Sequence, residues 1–176
     1  MNLLAAEVEA GMLLHESDRN RLTNEARRLV LAEADMRQVM AAVDALLGET
    51  LNGDLCRALE TAVIVCYARA FTTSNTVGPL TEDWTPADPV ERRFHDEIMR
   101  LRDKVYAHTD KIGARDIADA GEMLGLGQVA FVEGWHPLDR KVLPAIRALA
   151  DAQDGRLKTR IEAINRELSA AVPPTA

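Results

Sequence analysis

Apolar residues recur every three or four positions through most of the chain, the spacing that places them on one face of a helix. A first segment, Leu3 to Ser17, carries Leu4, Val8 and Met12. A longer one is expected over about 23–47, with Leu29, Met36, Val39, Met40, Val43, Leu46 and Leu47 near one face and Gly48 as its stop. A third, over about 54–73, sets Leu55, Leu59, Ala62, Val63, Cys66 and Ala70 on its apolar side and closes in the polar cluster Thr72, Thr73, Ser74, Asn75. The fourth has the best start signal in the chain. Asp88 can cap, Pro89 suits the first helical position, and Glu91 follows three residues after the cap. Val90, Phe94, Ile98, Leu101, Val105 and His108 then form a core-facing stripe that runs to about residue 109. Gly113, Gly121, Gly125, Gly127 and Gly134 interrupt any long helix over 112–136, so that a short helix near 114–124 and a short strand at Gln128 to Val132 are expected. The last helix is expected over 138–170, with Val142, Ile146, Leu149, Leu157, Ile161, Ile164 and Leu168 on one face. Pro144 and Gly155 are the points where it can kink or divide. The pattern predicts an all-α fold: one domain over 1–176, an antiparallel bundle of four to five main helices with a Gly-rich irregular segment near 112–136.

Composition strengthens that reading. Hydrophobic residues make up 47% of the chain and aromatics only 4%, with Ala and Leu dominant. That mixture favours helices over strands. It also disfavours single-stranded nucleic-acid binding through a row of stacked bases. The net charge of −7 argues against a broad phosphate-coating surface. Charge is uneven, however: residues 1–54 sum to −5 and residues 137–166 to +3. No apolar run approaches the roughly 20 residues of a membrane span, and the acidic N-terminal stretch with Glu7, Glu9 and Glu16 does not read as a signal peptide. Cys56 and Cys66 fall ten residues apart on one expected helix, about 15 Å along its axis and beyond disulfide reach. Free thiols of this kind are expected of a reducing cytoplasm.

Familiar catalytic motifs are missing. There is no His-Glu-x-x-His, Cys-x-x-Cys, phosphate-cradling Gly-rich loop or Gly-x-Ser-x-Gly. No metal site and no cofactor are expected. Glu133 and His136 have Glu-x-x-His spacing but occur once, across Gly134, and Glu91 with His95 reads as a surface pair. His15 reads as a solvated or partner-facing residue, Arg69 as a surface or pairing residue, Trp84 as packing its loop onto the bundle, and Gln153 as a buried hydrogen-bonding position.

The remaining chemistry lies at the end of the fourth helix, in Leu101-Arg102-Asp103-Lys104-Val105-Tyr106-Ala107-His108-Thr109-Asp110. A histidine near its unperturbed pKa can move the proton of an RNA 2′-hydroxyl that attacks the adjacent phosphorus. An arginine can hold the charge that builds on the phosphoryl oxygens. Spacing alone carries no weight. With 17 Arg and 4 His, about one Arg-x4–6-His match is expected by chance, and one is found. On a regular helix the two side chains also stand roughly 120° apart. They reach one phosphate only through the long Arg side chain, a break before His108, or a second subunit.

The longer string Arg-Asp-Lys-Val-Tyr-Ala-His-Thr-Asp resembles the HEPN family, and within it the abortive-infection branch, whose members carry a similar Arg-(Asn/Asp)-Lys-x-x-Ala-His-x-Asp stretch. The stretch Tyr67-Ala68-Arg69-Ala70-Phe71 and the bundle plan extend the likeness. The resemblance implies a metal-independent endoribonuclease acting on RNA, with Arg102 and His108 as catalytic pair and Asp103 orienting Arg102. Lys104, Tyr106 and Asp110 support them within the motif. It also implies a homodimer whose motifs line one cleft, a toxin or phage-defence role, and a possible antitoxin or regulatory partner. HEPN toxins silenced by tyrosine modification have Tyr where this chain has Asp110, so no such switch carries over. Two alternatives stand beside it: a non-catalytic helical scaffold or partner-binding module, and a small-molecule-binding bundle.

Overall fold

The structure, a computed structural model, describes residues 15–48, 50–73, 78–103, 117–119, 131–133 and 138–170. Four helices dominate: α1 (Glu16–Gly48), α2 (Gly53–Arg69), α3 (Pro89–Leu101) and α4 (Leu143–Ala170). The fold is all-α, as the periodicity predicts. One small antiparallel ribbon pairs β1 (Ile117–Asp119) with β2 (Phe131–Glu133), Ala118 opposite Val132. The strand expected at 128–132 therefore exists, shifted toward 131–133. The short helix expected near 114–124 is corrected at 117–119, where the backbone bonds find a partner strand rather than a helical turn.

Helix boundaries follow local chemistry. α1 is one helix where a division between 17 and 23 was expected. No Gly or Pro lies between Glu16 and Leu47, and the Thr23 hydroxyl donates to the Arg19 carbonyl at 2.8 Å inside the helix. The expected segment over 3–14 lies outside the described residues. α2 begins where the Asn52 Oδ1 accepts the Leu55 amide at 2.8 Å, and it ends at Arg69, short of the expected 73. There the Phe71 amide turns back to the Ala68 carbonyl. α3 starts as expected: the Asp88 carboxylate accepts the amides of Val90 and Glu91 at 2.9 and 3.0 Å. Its regular winding stops at Leu101, and Arg102 and Asp103 take the wider π-type winding. Before α4, the Asp139 carboxylate caps a 3₁₀ turn, Arg140–Val142. Pro144 sits in the first turn of α4, where its missing N–H costs nothing, and Gly155 leaves the helix unbroken.

Side-chain bonds show the helix directions. Arg147 meets Asp44 and Arg160 meets Glu25, so α4 runs antiparallel to α1. Cys66 meets Gln38 and Arg69 meets Asp35, so α2 also runs antiparallel to α1. α1 thus carries the two most extensive contacts, and α3 lies mainly on α2 and more lightly on α4. Leu29, Met36, Val39 and Val43 of α1 close on Val63, Ile64 and Tyr67 of α2 and on Ile146, Leu149, Leu157 and Ile164 of α4. The buried sector of α2 is centred on Glu60, Val63, Ile64 and Tyr67, because α2 faces both α1 and α3. Leu55, expected in the core, is consequently exposed, and so is Leu47. Gln153 is buried as expected and donates to the Trp84 carbonyl at 3.1 Å. Trp84 packs on the core under the Arg156 guanidinium, 5.3 Å from the ring centre.

A Cβ added at Gly155 would meet nothing within 4 Å. Gly155→Ala should therefore stabilise the protein by about 0.5–1 kcal/mol through the lower chain entropy of the unfolded state. Urea denaturation measures this directly, and an unchanged or lower midpoint would contradict the placement of Gly155 in an open helix face.

Candidate functional site

The end of α3 presents Arg102 and Asp103. Arg102 follows His95 by seven residues, hence two turns or about 10 Å further along the same helix face. His95 and Ile98 are buried on that face, whereas the Arg102 side chain is 33% exposed at its rim. The Arg102 Nη1 donates to the Asp103 carboxylate at 2.7 Å. Glu97, five residues before Arg102, is taken by Arg100, whose Nε donates to it at 2.8 Å. That hydrogen bond holds the Glu97 carboxyl below its ordinary range and raises Arg100. The structure therefore brings Arg102 and Asp103 together. Lys104, Tyr106, His108 and Asp110 lie outside the described residues, as do Trp135 and His136.

His95 is not the surface residue expected from its spacing to Glu91. It is buried, and its Nδ1 shares a 3.0 Å hydrogen bond with the Tyr67 hydroxyl. The Phe71 ring meets it edge-on at 4.6 Å, and Tyr67 lies 5.4 Å from Phe71. The physical reason is that α3 rests on the C-terminal end of α2, and the face that carries Ile98 carries His95 one turn earlier. Burial lowers the His95 pKa against the opposing influence of Asp96, and burial likewise raises that of the Tyr67 phenol. Both groups are therefore neutral near pH 7. They form a sealed polar clasp between α2 and α3 rather than a proton-transfer site. The sequence signal was present: His95 stands three residues before Ile98, on the same side of the helix.

A second polar group lies between α1 and α2. The Arg69 Nε donates to both oxygens of buried Asp35 at 3.1 and 3.0 Å, and its Nη2 adds a further bond. That hydrogen bonding raises the Arg69 pKa. Arg69 is the pairing residue its position suggested. Asp35, an acidic residue on the apolar face of α1, escaped the sequence reading. Cys66 donates to the Gln38 Oε1 at 3.1 Å, and burial pushes its thiol up, away from nucleophilic use. His15 is exposed at the start of α1, as expected.

The basic residues of α4 mostly have partners inside the molecule. Arg147 binds Asp44, Lys158 binds Asp154, and Arg160 bridges Glu25 and Glu167. Arg140 donates to the Leu46 carbonyl, and Arg156 to the carbonyls of Asp83 and Trp84. The positive excess read in that segment thus serves largely to tie α4 to α1 and to the Trp84 turn. No helix among the described residues is long and apolar enough to cross a membrane, and none of their His, Cys, Asp and Glu side chains gather in a group that could hold a metal. Comparison with protein-family models, curated proteins and solved structures finds no match to the chain.

The His95 clasp makes stability depend on pH with a definite sign. The folded pKa lies below the unfolded value, so the unfolded state binds more protons. This contribution is complete above about pH 6.5 and is lost progressively as pH falls from that unfolded value through the lower folded one. Calorimetry should show Tm falling from pH 7.5 to 5.5, with uptake of up to about one proton on unfolding. His95→Phe should abolish that component; an unchanged pH profile would rule it out. Tyr67→Phe, which leaves the buried imidazole unpaired, should cost about 1–2 kcal/mol in urea denaturation.

Proposed function

We propose that the protein is a HEPN-like, metal-independent endoribonuclease. The observation that carries this reading is the string Arg-Asp-Lys-Val-Tyr-Ala-His-Thr-Asp over 102–110, issuing from a capped amphipathic helix of an all-α antiparallel bundle. Two features support it. Arg102 stands at the rim of the core with part of its guanidinium open to solvent. Asp103 holds that guanidinium by a 2.7 Å ion pair, the orienting role the resemblance implies.

In the proposed reaction the 2′-oxygen attacks phosphorus and the bond to the 5′-oxygen breaks. The products are a 2′,3′-cyclic phosphate and a free 5′-hydroxyl. His108 moves a proton, accepting it from the 2′-hydroxyl or giving one to the leaving oxygen. Arg102 holds the phosphoryl oxygens as their charge grows. A homodimer that places two motifs in one cleft completes the proposal. So does a cytoplasmic toxin or phage-defence role, with an antitoxin or regulatory protein as partner. The internal pairing of the α4 cations favours a second reading, a non-catalytic scaffold or partner-binding module, since it leaves little free positive charge on α4 for RNA.

Purified protein incubated with total cellular RNA in EDTA separates the two. Cleavage with 2′,3′-cyclic phosphate ends is expected, reduced about 100-fold or more by Arg102→Ala or His108→Ala with Tm unchanged. If wild type is as inert as both variants, and His108→Ala instead lowers Tm, the scaffold reading replaces the ribonuclease.

A further inference from the structure

Between α1 and the C-terminal end of α2 lies an open cleft of about 420 Å³. Arg28, Leu31, Asp35 and Gln38 of α1 line it, with Arg69 of α2 and Gly78 opposite. Two arginines therefore face a single carboxylate. Asp35 engages the Nε and Nη2 of Arg69, which turns that edge inward, while the side chain remains 54% exposed. The Nη1 donors of Arg69 remain for an acceptor from outside.

Arg28 provides the observation that asks for a ligand. Its Nε is buried and meets no hydrogen-bond acceptor in the structure. A Cβ at Gly78 would stand 3.5 Å from its Nη2, an ordinary contact distance, so Gly78 flanks the guanidinium without supplying it an acceptor side chain. A buried N–H of a permanently charged group normally has a partner, because desolvation without one is costly. Gln38 spends its carbonyl oxygen on Cys66, so its amide N–H₂ adds a donor at the same wall. Leu31, exposed at the lip, supplies an apolar edge. The cleft thus combines excess donors, net positive charge and apolar wall, at a volume usual for small-molecule sites.

We propose that this cleft binds a small organic anion: a carboxylate or phosphate monoester head held by Arg28 and Arg69, with an apolar body against Leu31. Arginine forks match the paired oxygens of either head group. The proposal is independent of the ribonuclease reading, and Arg102→Ala/His108→Ala protein should bind as wild type does.

Calorimetric titration at fixed ionic strength with benzoate, phenyl phosphate and the neutral analogue benzyl alcohol tests it. At least one of the two anions should bind saturably at millimolar concentration or below, and benzyl alcohol should not. Binding of benzoate alone identifies a carboxylate site, and of phenyl phosphate alone a phosphate site. Arg28→Met should weaken binding about tenfold or more. Leu31→Trp, at an exposed position that leaves both guanidinia in place, should block the cleft and weaken binding to a similar degree without lowering Tm. Failure of both anions to bind wild type would overturn the proposal. So would wild-type affinity in Arg28→Met or, where that variant does not fold, in Leu31→Trp.

Discussion

The long helix α1 must bury two sides at once, and the other helices are arranged by that demand. It has 33 residues, about 50 Å of helix. Leu22, Leu29, Met36, Val39, Val43 and Leu46 recur along it at three-, four- and seven-residue intervals and are almost wholly withdrawn from solvent. No short helix can cover such a stripe. α4, nearly as long, covers it from one side over its whole length, and α2 covers the half nearer its C-terminus from another. α3 is then left to pack on α2, which explains why it is the helix least embedded in the bundle.

Apolar burial is not directional, so polar side chains decide how the helices slide and which way they run. The exposed pair Asp44–Arg147 and the half-buried pair Glu25–Arg160 contribute little energy each. They do agree on one antiparallel register for α1 and α4, and wrong registers would leave them unmatched. The inner contacts weigh more. Asp35, His95 and Gln153 are all buried, and each meets a partner on a different element: Arg69, Tyr67 and the Trp84 carbonyl. A slip of any of these elements would leave a desolvated polar group without a bond. Two helix–helix contacts and one helix–turn contact are thereby held to a single arrangement.

The two candidate sites lie where this scheme ends. The Arg102–Asp103 pair emerges at the close of α3, just beyond the clasp that anchors the helix on α2. The Arg28–Arg69 cleft opens beside the clasp of α2 on α1, where Asp35 neutralises one guanidinium and leaves the other without an acceptor. In both places, polar groups exceed what folding uses. Function can draw on such a surplus, whereas the α4 cations are already consumed by structure.

Periodicity and capping chemistry made most of the fold legible in the sequence. The apolar spacing of 23–47, 54–73 and 138–170, the Asp88-Pro89 start and the paucity of aromatics suffice for an all-α antiparallel bundle, because they act through nearest neighbours on one helix. The Arg102-to-Asp110 string was equally legible, being a matter of residue order. Tertiary structure decided what depends on a second element. It turned His95 inward against Tyr67, moved the buried sector of α2 away from Leu55, and set Asp35 against Arg69. It also drew the positive charge of α4 into bonds with α1 and the Trp84 turn. Apart from the place of His95 one turn before Ile98, none of these has a local signal, since a side chain's burial and ionisation depend on what faces it, and sequence spacing says only which side of its own helix it occupies.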